Sequence, residues 1–293
     1  MTEETEGYAQ VLGFRLFYRS FGETRRGVVL GLHGGPGATH DYLRPLSDLA
    51  KDGYRVVLFD LLGCGRSDVP EDHSLFTLDH NVEETEALRA TLGLGSVHLI
   101  GSSYGGLLAL AYALRYQAHL RSLITVGGLA SVPFASQEMQ RLKRTLAPEV
   151  LMTLDDHEER GDLQSPAYLH AVEAFYRQFL CRLDPWPPEM TQSLAMAAKR
   201  PVYALMNGPN EFTITGTIRD IDLTSRLGAI RVPTLVLGGR YDEVTPKVAE
   251  QIRQGIPGAR RVEFEQSSHV AFWEERDRFR SVVADFLRSV DGQ

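Results

Sequence analysis

The sequence predicts an α/β protein, with a mostly parallel sheet, helices on both faces and an inserted helical segment. Short runs rich in Val, Leu and Ile alternate with stretches of helical period, as expected of parallel strands buried on both faces. Each run stops near a glycine or an acid. One long central stretch breaks the alternation and reads as helical throughout.

The strands are placed in order. Val28 to Leu32 ends in HGGPG, Arg55 to Phe59 in an Asp, Val97 to Ile100 in GSSYGG, Leu123 to Val126 in GG, and Thr234 to Leu237 in GGRYD. Between them, Leu78, Val82, Leu88 and Leu92 mark one face of a helix that Gly93 can end, because glycine accepts the left-handed conformation past a helix terminus. Gly106 to Leu114 favours helix, and in the last helix Phe279, Val282, Val283, Phe286, Leu287 and Val290 fall on one stripe. The stretch from 131 to 226 holds eight of the fourteen prolines and every methionine except Met1, with no obvious buried strand. It is expected to be a helical cap over the carboxyl edge of the sheet, where ligands bind in open α/β folds. Residues 1–130 and 227–293 would then form the core. A second packing layer without that role is the plainer alternative.

Composition narrows the function. The 293 residues, 43% hydrophobic and 24% charged, describe an ordinary globular protein rather than a disordered or fibrous one. A net charge of −7 argues against a nucleic-acid partner, whose phosphates demand a basic face. Two cysteines, Cys64 and Cys181, without CxxC spacing make neither a disulfide framework nor a metal site, and point to a reducing compartment. The opening MTEETEG lacks the apolar core of a signal peptide, and no run of about 18 apolar residues could span a membrane. The expected address is the cytoplasm, with no membrane partner.

The strongest chemical signal is Gly101-Ser102-Ser103-Tyr104-Gly105, a GxSxG pattern between a strand and a helix. There the serine sits on a strained turn, and glycines let neighbouring backbone approach and expose its hydroxyl. Ser103 is the candidate nucleophile; Ser102 is out of register. A serine needs a base to take its proton and an acid to orient that base. In this arrangement the acid follows a late strand and the histidine follows the last one. Asp242, in GGRYDE, fits the acid, and His269, after the run Arg261 to Phe264, fits the base. His40, His73, His80, His119, His157 and His170 read better as surface or core residues, and His98 as a buried neutral one.

Acyl transfer also needs donors aimed at the developing oxyanion, each contributing roughly 3 to 4 kcal/mol. The N–H of Tyr104 is placed by the turn itself, and that of Gly35, in HGGPG, is the second candidate. The loop Gly63 to Asp68 lacks the third glycine of a dinucleotide fingerprint, and no His, Cys or acid cluster has metal-ligand spacing. No cofactor and no metal is expected. A carboxylate would have to stand at Ser103 for dehalogenase or epoxide hydrolase chemistry.

Together HGGPG, GCGRSD at 63–68, GSSYGG, YDEVTP and the SSH before the last helix resemble the proline iminopeptidases, which are α/β-hydrolase serine exopeptidases. In the insertion, DPWPPE at 184–189 and NGPNEFTITG at 207–216 are similar to the tricorn-interacting aminopeptidases of archaea. The resemblance covers nearly the whole chain. It implies an α/β-hydrolase fold, Ser103, Asp242 and His269 as a triad, Gly35 and Tyr104 as oxyanion donors, and release of an N-terminal residue, often proline, from short peptides. One departure is Asp60-Leu61-Leu62, where the family usually reads Asp-Gln.

An enzyme that cuts only at a free amino terminus must recognise an ammonium, best done by carboxylates in an enclosed pocket. Glu243 follows Asp242 directly and Glu211 lies in NGPNEF. From position alone each is equally well a loop or helix-end charge; the resemblance implies that both bind the substrate amine. The competing functions are an amino-acid amide hydrolase or small esterase on the same triad, and a non-catalytic ligand-binding protein or accessory subunit of a larger proteolytic complex.

Overall fold

The computed structural model describes residues 4–292. The first three residues of the predicted 1–130 segment and Gln293 of the last one therefore lie outside the described residues.

Eight strands form one sheet: β1 (Glu4–Val11), β2 (Phe14–Phe21), β3 (Gly27–Leu32), β4 (Tyr54–Phe59), β5 (Val97–Ser102), β6 (Leu120–Val126), β7 (Thr234–Gly239) and β8 (Arg260–Phe264). Their spatial order is β1-β2-β4-β3-β5-β6-β7-β8. The six from β4 to β8 are parallel, and β1 and β2 join as an antiparallel edge. Every strand read from an apolar run is present. The hairpin β1–β2 carries no such run, because polar and charged residues interrupt its outer face, and apolar-run reading passes over it.

The parallel strands are buried on both faces, and alternate residues feed two cores. Leu30, Leu99, Leu123 and Val236 point to one core, and Val29, Ile100, Ile124 and Leu235 to the other. Helices α1 (Leu78–Thr91) and α2 (Tyr104–Tyr116) belong to the first core, through Val82, Leu88, Leu107 and Leu110. A 3₁₀ helix at His40–Asp52 covers the second, together with the stripe Phe279, Val283, Phe286 and Leu287 of the last helix.

Between β6 and β7 run five α-helices, a short 3₁₀ helix (Thr224–Ala229) and no sheet strand; the α-helices are α3 (Val132–Lys143), α4 (Pro148–Arg160), α5 (Pro166–Phe179), α6 (Pro188–Ala197) and α7 (Pro201–Met206). Each has a proline in its first two positions, where the missing N–H has no helical acceptor and the fixed φ suits a helix start. Much of the proline content of this stretch thus initiates helices rather than breaking them. The stretch from α6 to α7 meets loops at the carboxyl ends of the strands. The Ser193 hydroxyl of α6 accepts from the Thr39 N–H at 2.9 Å, and the Arg200 guanidinium donates to the Gly65 carbonyl at 3.1 Å. The chain then closes with α8 (Pro246–Gly255), a single turn α9 (Ala271–Glu274) and α10 (Arg276–Asp291). Among the described residues no helix is long and apolar enough to cross a membrane.

Leu99 lies fully buried in the central strand β5. Leu99→Ala leaves a cavity that strand and helices cannot fill, and should cost about 2 to 5 kcal/mol of unfolding free energy. Urea titration checks this: a loss below about 1 kcal/mol would mean that the sheet core relaxes around the gap.

Candidate active site

Most of the residues singled out in the sequence stand on loops at the carboxyl ends of the strands; Tyr104 opens α2 and Glu211 lies in the insertion after α7. Ser103 follows β5, Gly35 follows β3, Asp242 and Glu243 follow β7, and His269 follows β8. Ser103, His269, Glu243, Glu211 and Gly35 all line one cavity with about 520 Å³ of unfilled space. A second recess of about 300 Å³ shares Gly35, Ser103 and Glu211 and is otherwise mostly apolar, with Leu107, Leu129 and Met139 in its wall.

Ser103 has φ +58° and ψ −124°, a backbone conformation that costs a non-glycine residue of order 1 to 3 kcal/mol. Its N–H donates to the Val126 carbonyl of β6 at 2.9 Å. The turn is this tight because its flanks carry no side chains. A Cβ on Gly101 would run into the Gly105 carbonyl, and one on Gly105 into the Leu32 carbonyl of β3. The hydroxyl is thereby lifted out of the sheet edge, whereas Ser102 is buried.

Asp242 and His269 meet although 27 residues separate them. The His269 Nδ1–H donates to Asp242 Oδ1 at 2.6 Å, and the same oxygen accepts from the Val244 N–H at 2.8 Å. With Nδ1 carrying that proton, Nε2 is the nitrogen left to exchange protons in the cavity. The pair lies against bare backbone: a Cβ on Gly127, whose φ is +54°, would stand 2.6 Å from His269 Nδ1 and 3.0 Å from Asp242 Oδ2.

Gly35 and Tyr104 both line the smaller recess beside Ser103. Tyr104 is the first residue of α2, so its N–H has no acceptor in its own helix and sits at the positive end of the helix dipole. The Gly34–Gly35 peptide is oriented by its neighbours, since the Gly34 carbonyl accepts from His33 Nδ1–H at 3.0 Å and from the Ala38 N–H at 3.2 Å. In a planar trans peptide C=O and N–H point opposite ways, so the Gly35 N–H is turned away from His33. The His33 Nε2 in turn accepts from the Leu61 N–H at 3.1 Å, and burial lowers the imidazole pKa and keeps it neutral. Leu61 acts here through its backbone, while its side chain packs in the apolar core.

The carboxylates give the cavity its electrostatics. Glu243 is fully buried, its Oε1 lies 3.9 Å from His269 Nε2, and its Oε2 has no hydrogen-bond partner. Glu211 is half-buried in the cavity wall, and its Oε1 accepts from the Tyr203 hydroxyl at 2.7 Å. Burial pushes both carboxyl groups up, Glu243 well above the usual range. Burial alone would push His269 down, but Asp242, then Glu243 and Glu211, outweigh it and raise the imidazole to about 10. Glu211, Glu243 and His269 thus share protons, each holding its own more tightly than an isolated group would.

The other histidines fall outside the cavity. His98 is buried, with Nδ1 2.8 Å from the Ser122 hydroxyl and Nε2 3.1 Å from Asp291, and burial lowers it to about 4. His40 is buried against Asp60 at 2.8 Å. Cys64 is fully buried and its thiol is pushed up by burial. Among the described residues no group of three or more His, Cys, Asp or Glu could hold a metal ion. Three residues absent from the sequence reading belong to the site: Tyr203, the His33 ring, and Tyr42, whose hydroxyl accepts from the Gly34 N–H at 2.7 Å. Only His33 had a local signal, its place before the glycines of HGGPG.

The sequence and the fold can be compared with known proteins. The family model described as the alpha/beta hydrolase fold matches residues 27–276. The proline iminopeptidase of Thermoplasma volcanium is 48% identical over 284 residues, 96% of either chain. That of Saccharolobus solfataricus is 47% identical over 289 residues, covering 97% of this chain and 93% of the relative. Among solved structures, VinJ superposes with a TM-score of 0.95 at 38% identity, covering 98% of this chain and 99% of the other. The proline iminopeptidase of Mycobacterium smegmatis does so with a TM-score of 0.92 at 33% identity, with the same coverage.

A histidine-detected NMR titration of the ligand-free protein checks the charge distribution. At pH 7 His269 should be an imidazolium and His98 neutral, and Asp242→Asn should move the His269 titration to lower pH. An imidazole titrating near 6.5 in the wild type would contradict the proton sharing.

Proposed function

The chain belongs to the proline iminopeptidase family of the α/β hydrolases, and from that premise we propose that it is a serine aminopeptidase releasing N-terminal residues, preferentially proline, from short peptides. What carries the assignment is the buried Glu243, whose free Oε2 has no protein partner, beside Glu211 in the cavity that Ser103 and His269 line. A buried, unpaired carboxylate is costly unless a cation or a proton joins it. The ammonium of a peptide's first residue is such a cation. Anchoring it there limits cleavage to the first peptide bond.

The mechanism follows from the geometry. The ammonium enters between Glu211 and Glu243, supplies the positive charge that the shared proton supplied before, and lets His269 give that proton up. Neutral His269 then takes the Ser103 proton through Nε2 as Oγ attacks the first carbonyl, while Asp242 holds the imidazole and steadies its charge. The oxyanion is received by the N–H groups of Tyr104 and Gly35. His269 protonates the leaving amine, which departs with the rest of the peptide, and an acyl-enzyme remains. Water, deprotonated by the same imidazole, releases the amino acid and restores Ser103.

Residues 131–226 act as a cap that supplies Glu211, Tyr203 and the apolar wall against which a pyrrolidine ring fits. The two free cysteines, both buried, support a cytoplasmic address, where the enzyme would trim peptides released by larger proteases. Association with a proteolytic complex fits that place.

Cleavage of proline p-nitroanilide tests the assignment. Ser103→Ala should leave only residual turnover. N-acetylation of the substrate, or Glu243→Gln, should lower kcat/KM by about 2 to 5 kcal/mol, a factor of roughly 30 or more. Equal cleavage of the free and acetylated forms would mean an esterase or amidase of another specificity. The pH profiles add a second check. Bound ammonium lowers the His269 pKa, so the acid limb of kcat should lie at lower pH than that of kcat/KM, which reports free enzyme. Coincident limbs would show that the ammonium does not enter the carboxylate cluster.

A further inference from the structure

Glu274 takes no part in the chemistry above, yet its carboxylate joins the two segments that bracket the base. It lies in α9, five residues beyond His269. Its Oε2 accepts from the Ser268 N–H at 2.7 Å, and its Oε1 accepts from the Ser268 hydroxyl at 2.7 Å and from the Arg182 N–H at 2.8 Å. Ser268 is the residue before His269 and is fully buried. Arg182 follows α5 in the helical insertion, two residues after Leu180, which lines the Ser103 cavity together with His269.

The same insertion segment is tied to the acid loop. The Phe179 carbonyl accepts from the Glu243 N–H at 3.2 Å, the Arg182 guanidinium donates to the Gln266 carbonyl at 3.4 Å, and it stacks over the Tyr241 ring at 3.9 Å from its centroid. Tyr241 in turn donates its N–H to the Ser267 carbonyl at 3.0 Å. Residues 179–182 thus touch both loops that carry Asp242, Glu243 and His269. Beside the Arg182–Gln266 bond, Glu274 holds this segment and the base loop at once, and it bonds the residue next to His269.

A carboxylate that accepts three donors from two chain segments fixes their spacing, since charge-assisted bonds are stronger and shorter than neutral ones. The neighbouring Glu275 accepts from the Ser267 hydroxyl and the Gln266 N–H but reaches nothing in the insertion. Of these two adjacent carboxylates, only Glu274 ties the base loop to the insertion. Given the role of His269 proposed above, we propose that Glu274 is a positioning residue: it seats His269 against Ser103 only while the Phe179–Arg182 edge of the insertion is closed onto the base loop.

The test uses Glu274→Gln, which keeps the shape but loses one acceptor and the charge, and Ser268→Ala, which removes one donor should the first variant fail to fold. Two readouts are compared: hydrolysis of proline p-nitroanilide, and inactivation by diisopropyl fluorophosphate, which modifies the activated serine and carries no amine to anchor. In Glu274→Gln kcat should fall about tenfold or more, since misplacement of a reacting group by a fraction of an ångström has that size of effect. KM should stay within about twofold, and the inactivation rate should fall in parallel with kcat. Ser268→Ala should show the same split, more weakly. Wild-type kcat in both variants, or a loss confined to KM with unchanged inactivation, would overturn the proposal. A different result sinks the underlying assignment instead: His269→Ala retaining turnover and inactivation would mean that His269 is not the base.

Discussion

The strand-to-helix turn at Ser103 is a packing problem before it is a catalytic device. Backbone of β5, of the first turn of α2 and of the end of β3 meet so closely that neither Gly101 nor Gly105 has room for a Cβ. That contact sets where α2 begins, hence where the Tyr104 N–H points, and it brings the β3 loop carrying Gly35 up to the nucleophile. The unfavourable φ of Ser103 is sustained because close-packed interiors do not yield locally. With the turn relaxed, the Ser103 hydroxyl and the amides of Tyr104 and Gly35 would lose their common frame.

On that frame the protein builds a cavity with more negative charge than it can neutralise itself. Asp242 is partnered by His269, but Glu243 and Glu211 have only neutral donors or nothing beyond the imidazole they share. An apolar enclosure makes each unpaired charge costly, so the empty site holds a proton, and in the proposed mechanism a cation would take its place. On the mechanism proposed here, specificity and readiness of the base would have one electrostatic source: the group that identifies the substrate would also displace the proton that keeps His269 inactive.

The sequence announced most of this wherever chemistry is local. The apolar runs marked the parallel strands because both of their faces are buried, and GxSxG and HGGPG marked turns whose geometry needs glycine in fixed register. Asp242 and His269 were legible because the fold delivers late loops to one edge. What was illegible depends on distance in sequence. The hairpin β1–β2 hides because only one of its faces is apolar. Tyr203 and Tyr42 are ordinary tyrosines until folding brings their hydroxyls to Glu211 and Gly34. The His33 ring acts through a peptide group, and no residue pattern encodes which way a peptide faces. Glu243 and Glu211 read equally well as surface acids until their burial is seen.

The long insertion between β6 and β7 bears on how this architecture tolerates change. These strands are hydrogen-bonded neighbours, with Leu123 opposite Thr234, although the chain makes an excursion of five α-helices between them. The entropy of closing a loop grows only with the logarithm of its length, about 0.6 kcal/mol for each doubling. The length of that excursion therefore costs the sheet little; what ties the two together is packing, since Val132, Met139 and Phe175 share a core with Leu99 and Leu123. The glycine turns lie on the sheet, while half of the cavity wall, Leu180 to Glu211, lies on the insertion. Diversity of acyl groups is open to such a scaffold without any renegotiation of its nucleophile.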